Sequence, residues 1–457
     1  MTDSQTLQFE LPVERQRGQR LAKRFREIFS AEPQFLVRAP GRVNLLGEHT
    51  DYNGLPVLPM AIDRSVLIAG RMRRDPCLRL TNCDARFSPR QFELSDTIAP
   101  YADGDWGNYA KAAAQGLVLR AGKALERGAD LLVEGNVPQG AGLSSSSAFV
   151  VAVALAVLAA NKRHETPEVL AEILPSAERY VGTLSGGMDH AISLLARSGH
   201  ALRIDFFPLR VRPVPLPANY AFVVCHSLVP AEKSAAAKQR YNQRVLECRL
   251  ACRLFEVALG NALPRSLTTL GDLATLFPGR HLTEFMAYLT PWLPDRPLGL
   301  AEVAALINTP VESLRRACQI PQGAPDAFAV LRRTRHVLSE AERVDQAERA
   351  LRNGDDLSFG TLMDASHASC RDSYEISCTE IEDLVRVAKD GGALGTRLTG
   401  AGFGGCTVSL VARDRTDAFI AHLDRFFYAR RLSSRSQASA WRFVFNAQRG
   451  AETCRLR

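Results

Sequence analysis

Glu48, His49 and Asp51 fall within four consecutive positions of a turn-rich segment, Pro40 to Gly54. Carboxylates accept from hydroxyls and an imidazole can donate or accept, so this cluster can converge on one small polyhydroxylated ligand. The same residues could also hold a surface turn through Asx-type hydrogen bonds. A second stretch, Glu134 to Phe149, carries Pro138, Gly140 and Gly142 and then four serines, Ser144 to Ser147. Glycines let the backbone approach a ligand closely. Serines suit a helix start, whose first N–H groups lack internal partners and sit at the positive end of the dipole, a place for phosphate. No Gly-Lys-Ser/Thr follows the glycines, so the loop is not a Walker A motif, and its spacing is not the dinucleotide fingerprint. Further on, Asp189 follows Gly186 and Gly187 at the entrance to an apolar helix. It is either an N-cap or a carboxylate held on a helix start for chemistry. A second glycine-rich loop, Thr399 to Cys406, runs into the strand pattern Thr407 to Leu410.

The elements that position these loops are readable around them. A charged helix is expected over Gln19 to Phe29 and a strand over Phe35 to Ala39. Strands follow within Val57 to Ile68 and Leu78 to Leu94, and a helix over Trp106 to Leu119. The apolar run Ala129 to Val133 leads into the serine loop and Val150 to Ala160 leads out, giving strand, loop, helix. Pro167 to Tyr180 reads as a helix bent at Pro175, Ala191 to Arg197 as another. Strands are expected at Leu202 to Phe206 and Tyr220 to His226. The proline-rich stretch 208–217 between them is taken as a domain boundary, giving units 1–215 and 216–457. Helices then dominate: Lys233 to Ala258, a short pair over Leu300 to Cys318, Pro325 to Asn353, Leu357 to Ser369, Ile381 to Asp390 and Thr416 to Ala429. Trp441 to Phe445 reads as a last strand.

Composition narrows the class. The 457 residues are 46% hydrophobic and 23% charged, an ordinary globular balance with length for two or three domains. The net charge of +8 is scattered, with no basic block, so it argues for a solvated surface that attracts anionic substrates and not for nucleic-acid binding. The longest apolar run, Phe149 to Ala160, is too short to span a bilayer. None of the ten cysteines forms a CxxC pair, which points to reduced thiols in a cytoplasmic protein.

Three segments, in order and widely separated, resemble the signature motifs of the GHMP small-molecule kinases: Gly41–Asp51, Pro138–Ala148 and Thr399–Cys406. The first, Gly-Arg-Val-Asn-Leu-Leu-Gly-Glu-His-Thr-Asp-Tyr, is similar to the galactokinase signature and not to that of mevalonate or homoserine kinases. The resemblance runs from about residue 35 to 445. Residues 241–250 and 299–345 look more like the branch of plant galactokinases and N-acetylgalactosamine kinases than like compact bacterial galactokinases. It implies an α/β (α+β) fold of two GHMP domains: an N-terminal one with a mixed sheet, a C-terminal sandwich of antiparallel strands and helices, and an active site in the cleft.

The resemblance also implies roles. The reaction would be ATP-dependent phosphorylation of the anomeric hydroxyl of galactose, with Mg²⁺. Asp189 matches the catalytic base and Arg42 its neighbour, which would offset charge on the transferring phosphoryl group. Glu48, His49, Asp51, Gly187 and Tyr241 match sugar-binding positions. Gly140, Gly142, Ser144, Ser145 and Ser146 match the phosphate loop, Trp106 a position near adenine, and Ser146 with Glu178 the pair associated with Mg²⁺. His190 stands where the family usually has Gln, and Ala401 where many members have Gly. Tyr241 leans toward galactose over its N-acetylated analogue. N-acetylgalactosamine, arabinose, or a sensor role without catalysis are the alternatives, and the intact Ser144–Ser147, Asp189 and Arg42 argue against the last. The oligomeric state stays open, a monomer being compatible.

Overall fold

The computed structural model describes residues 12–121, 125–231, 235–432 and 441–456, without the side chains of 12, 121, 177–179 and 235–237. The first half of the chain runs α1 (Pro12–Phe29), β1 (Phe35–Asn44), β2 (Pro59–Met72), β3 (Cys77–Asn82), β4 (Arg90–Glu93), α2 (Gly107–Ala121) and β5 (Ala129–Gly135). Then come α3 (Ser145–Ala160), α4 (Pro167–Glu178), α5 (Met188–Leu195), and the strands β6 (His200–Asp205), β7 (Arg210–Pro215) and β8 (Tyr220–His226). The helical part comprises α6 (Ala235–Leu259), α7 (Asp272–Leu276), α8 (Met286–Leu289), α9 (Leu300–Leu306), α10 (Val311–Cys318), α11 (Val330–Arg352), α12 (Asp356–Asp372) and α13 (Thr379–Asp390). It closes with β9 (Gly395–Thr399), β10 (Cys406–Ala412), α14 (Thr416–Phe426), β11 (Arg442–Phe445) and β12 (Glu452–Arg455).

Two main sheets organise these elements. One has the order β12-β1-β2-β5-β3-β4 and is mixed, β3 lying parallel to β5. The other, β11-β8-β10-β9, is antiparallel throughout. Helix α3 is apolar on every side because it is buried on every side, packed on β1, β2 and α2. On the opposite face, Leu21 and Phe25 of α1 cover Leu36, Leu67 and Leu132.

Four details depart from the sequence expectations. Strand β1 continues to Asn44, so the start of the first motif is strand and not turn; a register shift between Pro40 and Arg42 bends it without ending the pairing with β2. Asp189 is not an N-cap, because α5 starts at Met188 with Gly187 as its cap. The proline-rich stretch holds β7, which among the described residues pairs only with β6, so Pro213 and Pro215 cost little because no second described strand needs their missing N–H. An unforeseen strand, β12, pairs Glu452–Arg455 with Phe35–Arg38, so the chain's end belongs to the first sheet. Lys233, the expected start of α6, lies outside the described residues, as do the eleven N-terminal ones. Among the described residues no helix is long and apolar enough to cross a membrane.

Candidate active site

The shift in β1 aims Arg42 across the cleft. Its Nε donates to Asp189 Oδ1 at 2.7 Å and its Nη1 to the Gly142 carbonyl at 2.6 Å. The guanidinium is buried, while Asp189 keeps about a quarter of its side chain exposed (26%). The other carboxylate oxygen of Asp189 accepts from the Ser144 hydroxyl. Ser144 holds a left-handed backbone (φ 57°) immediately before α3. One ion pair thus joins the first strand, the serine loop and the start of α5, a helix terminus that also favours a carboxylate.

The two glycine loops cross backbone on backbone. A Cβ added to Gly400 would lie 2.4 Å from the Gly142 carbonyl oxygen, and one added to Gly142 would lie 2.8 Å from that of Thr399. Only glycine permits this approach, and both positions have positive φ. The first turn of α3, with Ser145 and Ser146, opens into the same cleft. Its far end is walled by Val66, Val133, Phe149 and Trp106. Trp106 rests on Phe149 (ring centroids 5.6 Å apart) and donates its indole N–H to the Ser88 carbonyl at 2.9 Å.

The other end is polar and aromatic. Asp51 is buried, and its Oδ2 accepts from the Met188 N–H at 3.3 Å. Gly186 leaves room for that carboxylate: a Cβ there would sit 2.2 Å from Asp51 Cγ. Burial, reinforced by the negative charge of Asp189, pushes the Asp51 carboxyl up to about 6. Burial also raises Glu48, against the pull of Arg397, which donates to it from Nη2 at 3.0 Å. His49 is driven down to about 3 by burial and is neutral. Its Nε2 lies 3.3 Å from the Ala401 carbonyl, which can only accept, so Nε2 carries the proton and Nδ1 accepts from Tyr52 at 3.0 Å. Tyr52 in turn meets Tyr374 at 2.6 Å. The Tyr241 ring packs tilted against His49, with ring centroids 5.1 Å apart. The whole cleft encloses about 790 Å³, room for a nucleotide and a small second ligand.

A family model for the galactokinase galactose-binding signature matches residues 23–72; models for the GHMP kinase N-terminal and C-terminal domains match 108–197 and 347–429. The chain is 34% identical over 459 residues to a galactokinase of Dictyostelium discoideum, covering 91% of this chain and 89% of that one. It belongs to the galactokinase family. A galactokinase of Chloroflexus aurantiacus is 39% identical over 399 residues, covering 87% of this chain and 89% of that one. The crystal structure of Lactococcus lactis galactokinase complexed with galactose superposes with a TM-score of 0.75 at 27% identity, covering 96% of this chain and 99% of that one. As a galactokinase-family member the chain is an ATP-dependent kinase with the two-part GHMP fold.

The cleft of this galactokinase-family chain brings together Arg42, Glu48, His49, Asp51, Trp106, Gly140, Gly142, Ser144, Ser145, Ser146, Asp189 and Tyr241. Gly187 is set back: it caps α5 against Phe206, and Gly186 lines the cleft instead. Glu178 ends α4, and its side chain lies outside the described residues. Sequence reasoning missed Arg397, Tyr374 and Lys238. Arg397 stands two residues before the third motif, a charge inside a strand pattern, and Lys238 stands one helical turn before Tyr241 on α6, also lining the cleft. Tyr374 carried no local signal.

Proposed function

We propose that the cleft transfers the γ-phosphoryl group of ATP to the anomeric C1 hydroxyl of galactose. A bond forms between O1 and the γ-phosphorus, the bond from that phosphorus to the β,γ-bridging oxygen breaks, and ADP leaves. The observation that carries this reading is the Asp189–Arg42 pair, set between a phosphate-type glycine-serine loop and a buried polar pocket. Asp189 accepts the hydroxyl proton. Arg42 neutralises charge where the phosphoryl group crosses, and the N–H groups around Gly140 to Ser146 hold the phosphates. Trp106 and its apolar neighbours form the seat for adenine, and Tyr241 with His49 forms a wall against the sugar.

Among the described residues no three His, Cys, Asp or Glu side chains gather as a metal cage. A hydroxyl at Ser146 with one carboxylate fits Mg²⁺, which takes most of its ligands from nucleotide phosphates and water. Ser146 and Glu178 would hold it, and when bound it would supply positive charge to the β- and γ-phosphates. We assign the units as residues 1–215 and 216–457, the latter returning β12 to the first sheet. The ten free cysteines favour a cytoplasmic location.

Coupled ADP release with MgATP, comparing galactose, N-acetylgalactosamine, arabinose and glucose, tests the reading. Turnover should be fastest with galactose. A preference for N-acetylgalactosamine or arabinose would move the substrate, and sugar binding without any turnover would sink the kinase reading.

Asp51 is the stronger acceptor for the sugar's hydroxyls as a carboxylate, since protonation turns one of its oxygens into a donor, so kcat/KM for galactose should fall as pH drops through about 6. Stability should move the other way. A carboxyl whose folded pKa lies above its unfolded value stabilises the fold fully below the unfolded value, and that contribution is lost as pH rises through the folded one. The melting temperature of the wild type relative to Asp51→Asn should therefore decline between about pH 4 and about pH 6. A flat difference would place Asp51 in contact with water.

A further inference from the structure

Helix α11 faces the turn after β1 with two side chains one helical turn apart, His336 and Glu340, both fully buried. Glu340 Oε1 accepts the Gly47 N–H at 2.9 Å and the Glu48 N–H at 3.4 Å. Glu340 is itself fixed by the Ser366 hydroxyl at 2.6 Å and by Arg343 Nε at 2.6 Å. His336 Nε2 lies 3.0 Å from the Glu48 carbonyl and Nδ1 lies 2.9 Å from the Ser369 hydroxyl. A carbonyl only accepts, so Nε2 carries the proton and Nδ1 accepts from Ser369. Burial drives this imidazole down to about 4, which keeps the ring neutral and the arrangement intact at neutral pH. Residue 48 is thus gripped at its N–H, its carbonyl and its carboxylate. The next residue, His49, holds φ at 61°, a conformation that a non-glycine residue keeps only when its surroundings over-determine it.

We propose that His336 and Glu340 are positioning residues for the sugar: they lock the backbone of Gly47–His49 so that Glu48 and His49 face the ligand before it arrives. This rests on the sugar-kinase reading above, and it adds a helix about 290 residues away to the sugar-binding machinery.

The test compares wild type with His336→Phe, His336→Gln and Glu340→Gln, measuring KM for sugar and for ATP, kcat and the melting temperature. Phenylalanine fills the space but cannot donate to the Glu48 carbonyl; the glutamine amide can. His336→Phe should raise the sugar KM by about tenfold, the worth of one lost buried hydrogen bond, and leave the ATP KM within about twofold. His336→Gln should recover most of the loss, and Glu340→Gln, which keeps an acceptor for Gly47, should fall between. Equal sugar KM values in wild type and His336→Phe, or parallel rises for sugar and ATP, would overturn the proposal. If His336→Phe does not fold, Ser369→Ala, which removes the hydroxyl that holds His336 Nδ1, decides: an unmoved sugar KM overturns it, and a rise confined to sugar supports it. Wild-type turnover reports separately on the parent reading. If galactose is not the preferred sugar, the same comparison is made with the sugar that is. If no sugar turns over, it is made on sugar dissociation constants from calorimetry.

Discussion

Replacing Asp189 by asparagine is expected to lower kcat with galactose by about 10²–10⁴-fold, the usual worth of a positioned general base. Asparagine keeps the size of the side chain and a carbonyl oxygen for Ser144, but it cannot take a proton. The Arg42 guanidinium loses its anionic partner while keeping the Gly142 carbonyl. ATP affinity, measured by calorimetry, should change little, because the amide still accepts from Ser144 and the crossing of Gly142 with Gly400 is backbone on backbone. A kcat within tenfold of wild type would mean that the hydroxyl loses its proton late and without Asp189. Positioning and electrostatic stabilisation would then carry the reaction alone.

Arg397→Met is expected to do more harm to the fold than any single change at the cleft surface. Arg397 lies on β9, fully buried, with Nη1 on the Asn44 carbonyl at 3.0 Å and Nη2 on Glu48 at 3.0 Å. Removing it strands a buried carboxylate, which costs about 3–5 kcal/mol. The melting temperature should drop by several degrees and the sugar KM should rise, since Glu48 lines the end of the cleft where the sugar is proposed to bind. Adding Glu48→Gln to Arg397→Met should restore part of the stability by removing the unpaired charge. A double-mutant cycle in melting experiments reads that coupling directly. Additive losses would show that the pair is not coupled.

The chemistry of the cleft was legible where it was local. Glu48, His49 and Asp51 stand within four positions, and Gly140 to Ser147 form one loop before one apolar helix, so residue types and spacing alone suggested hydroxyl and phosphate ligands. What joins these pieces was not local. Arg42 and Asp189 are 147 residues apart, and only the family resemblance paired them before the structure did. Glu340, His336 and Arg397 were invisible for a physical reason. A charged residue in a helix or strand pattern is usually a solvated one, and periodicity tells that a face is buried without telling what it meets. The extent of β1 was misjudged because Pro40 and Gly41 usually end a strand; a bulge absorbed them and turned Arg42 into the cleft. Strand β12 was missed because four residues with alternating exposure near the chain's end carry little signal, and its partner β1 lies at the other end of the chain.

Phosphoryl transfer to the anomeric hydroxyl is tested most sharply by the phosphorus NMR spectrum of the product formed from galactose and MgATP. One new phosphate monoester on C1 of galactose is expected, with ADP formed in equal amount and the signal abolished by omitting the sugar. Inorganic phosphate alone, or an ester on another carbon of the ring, would contradict it, because the cleft would then present to Asp189 either water or the wrong hydroxyl.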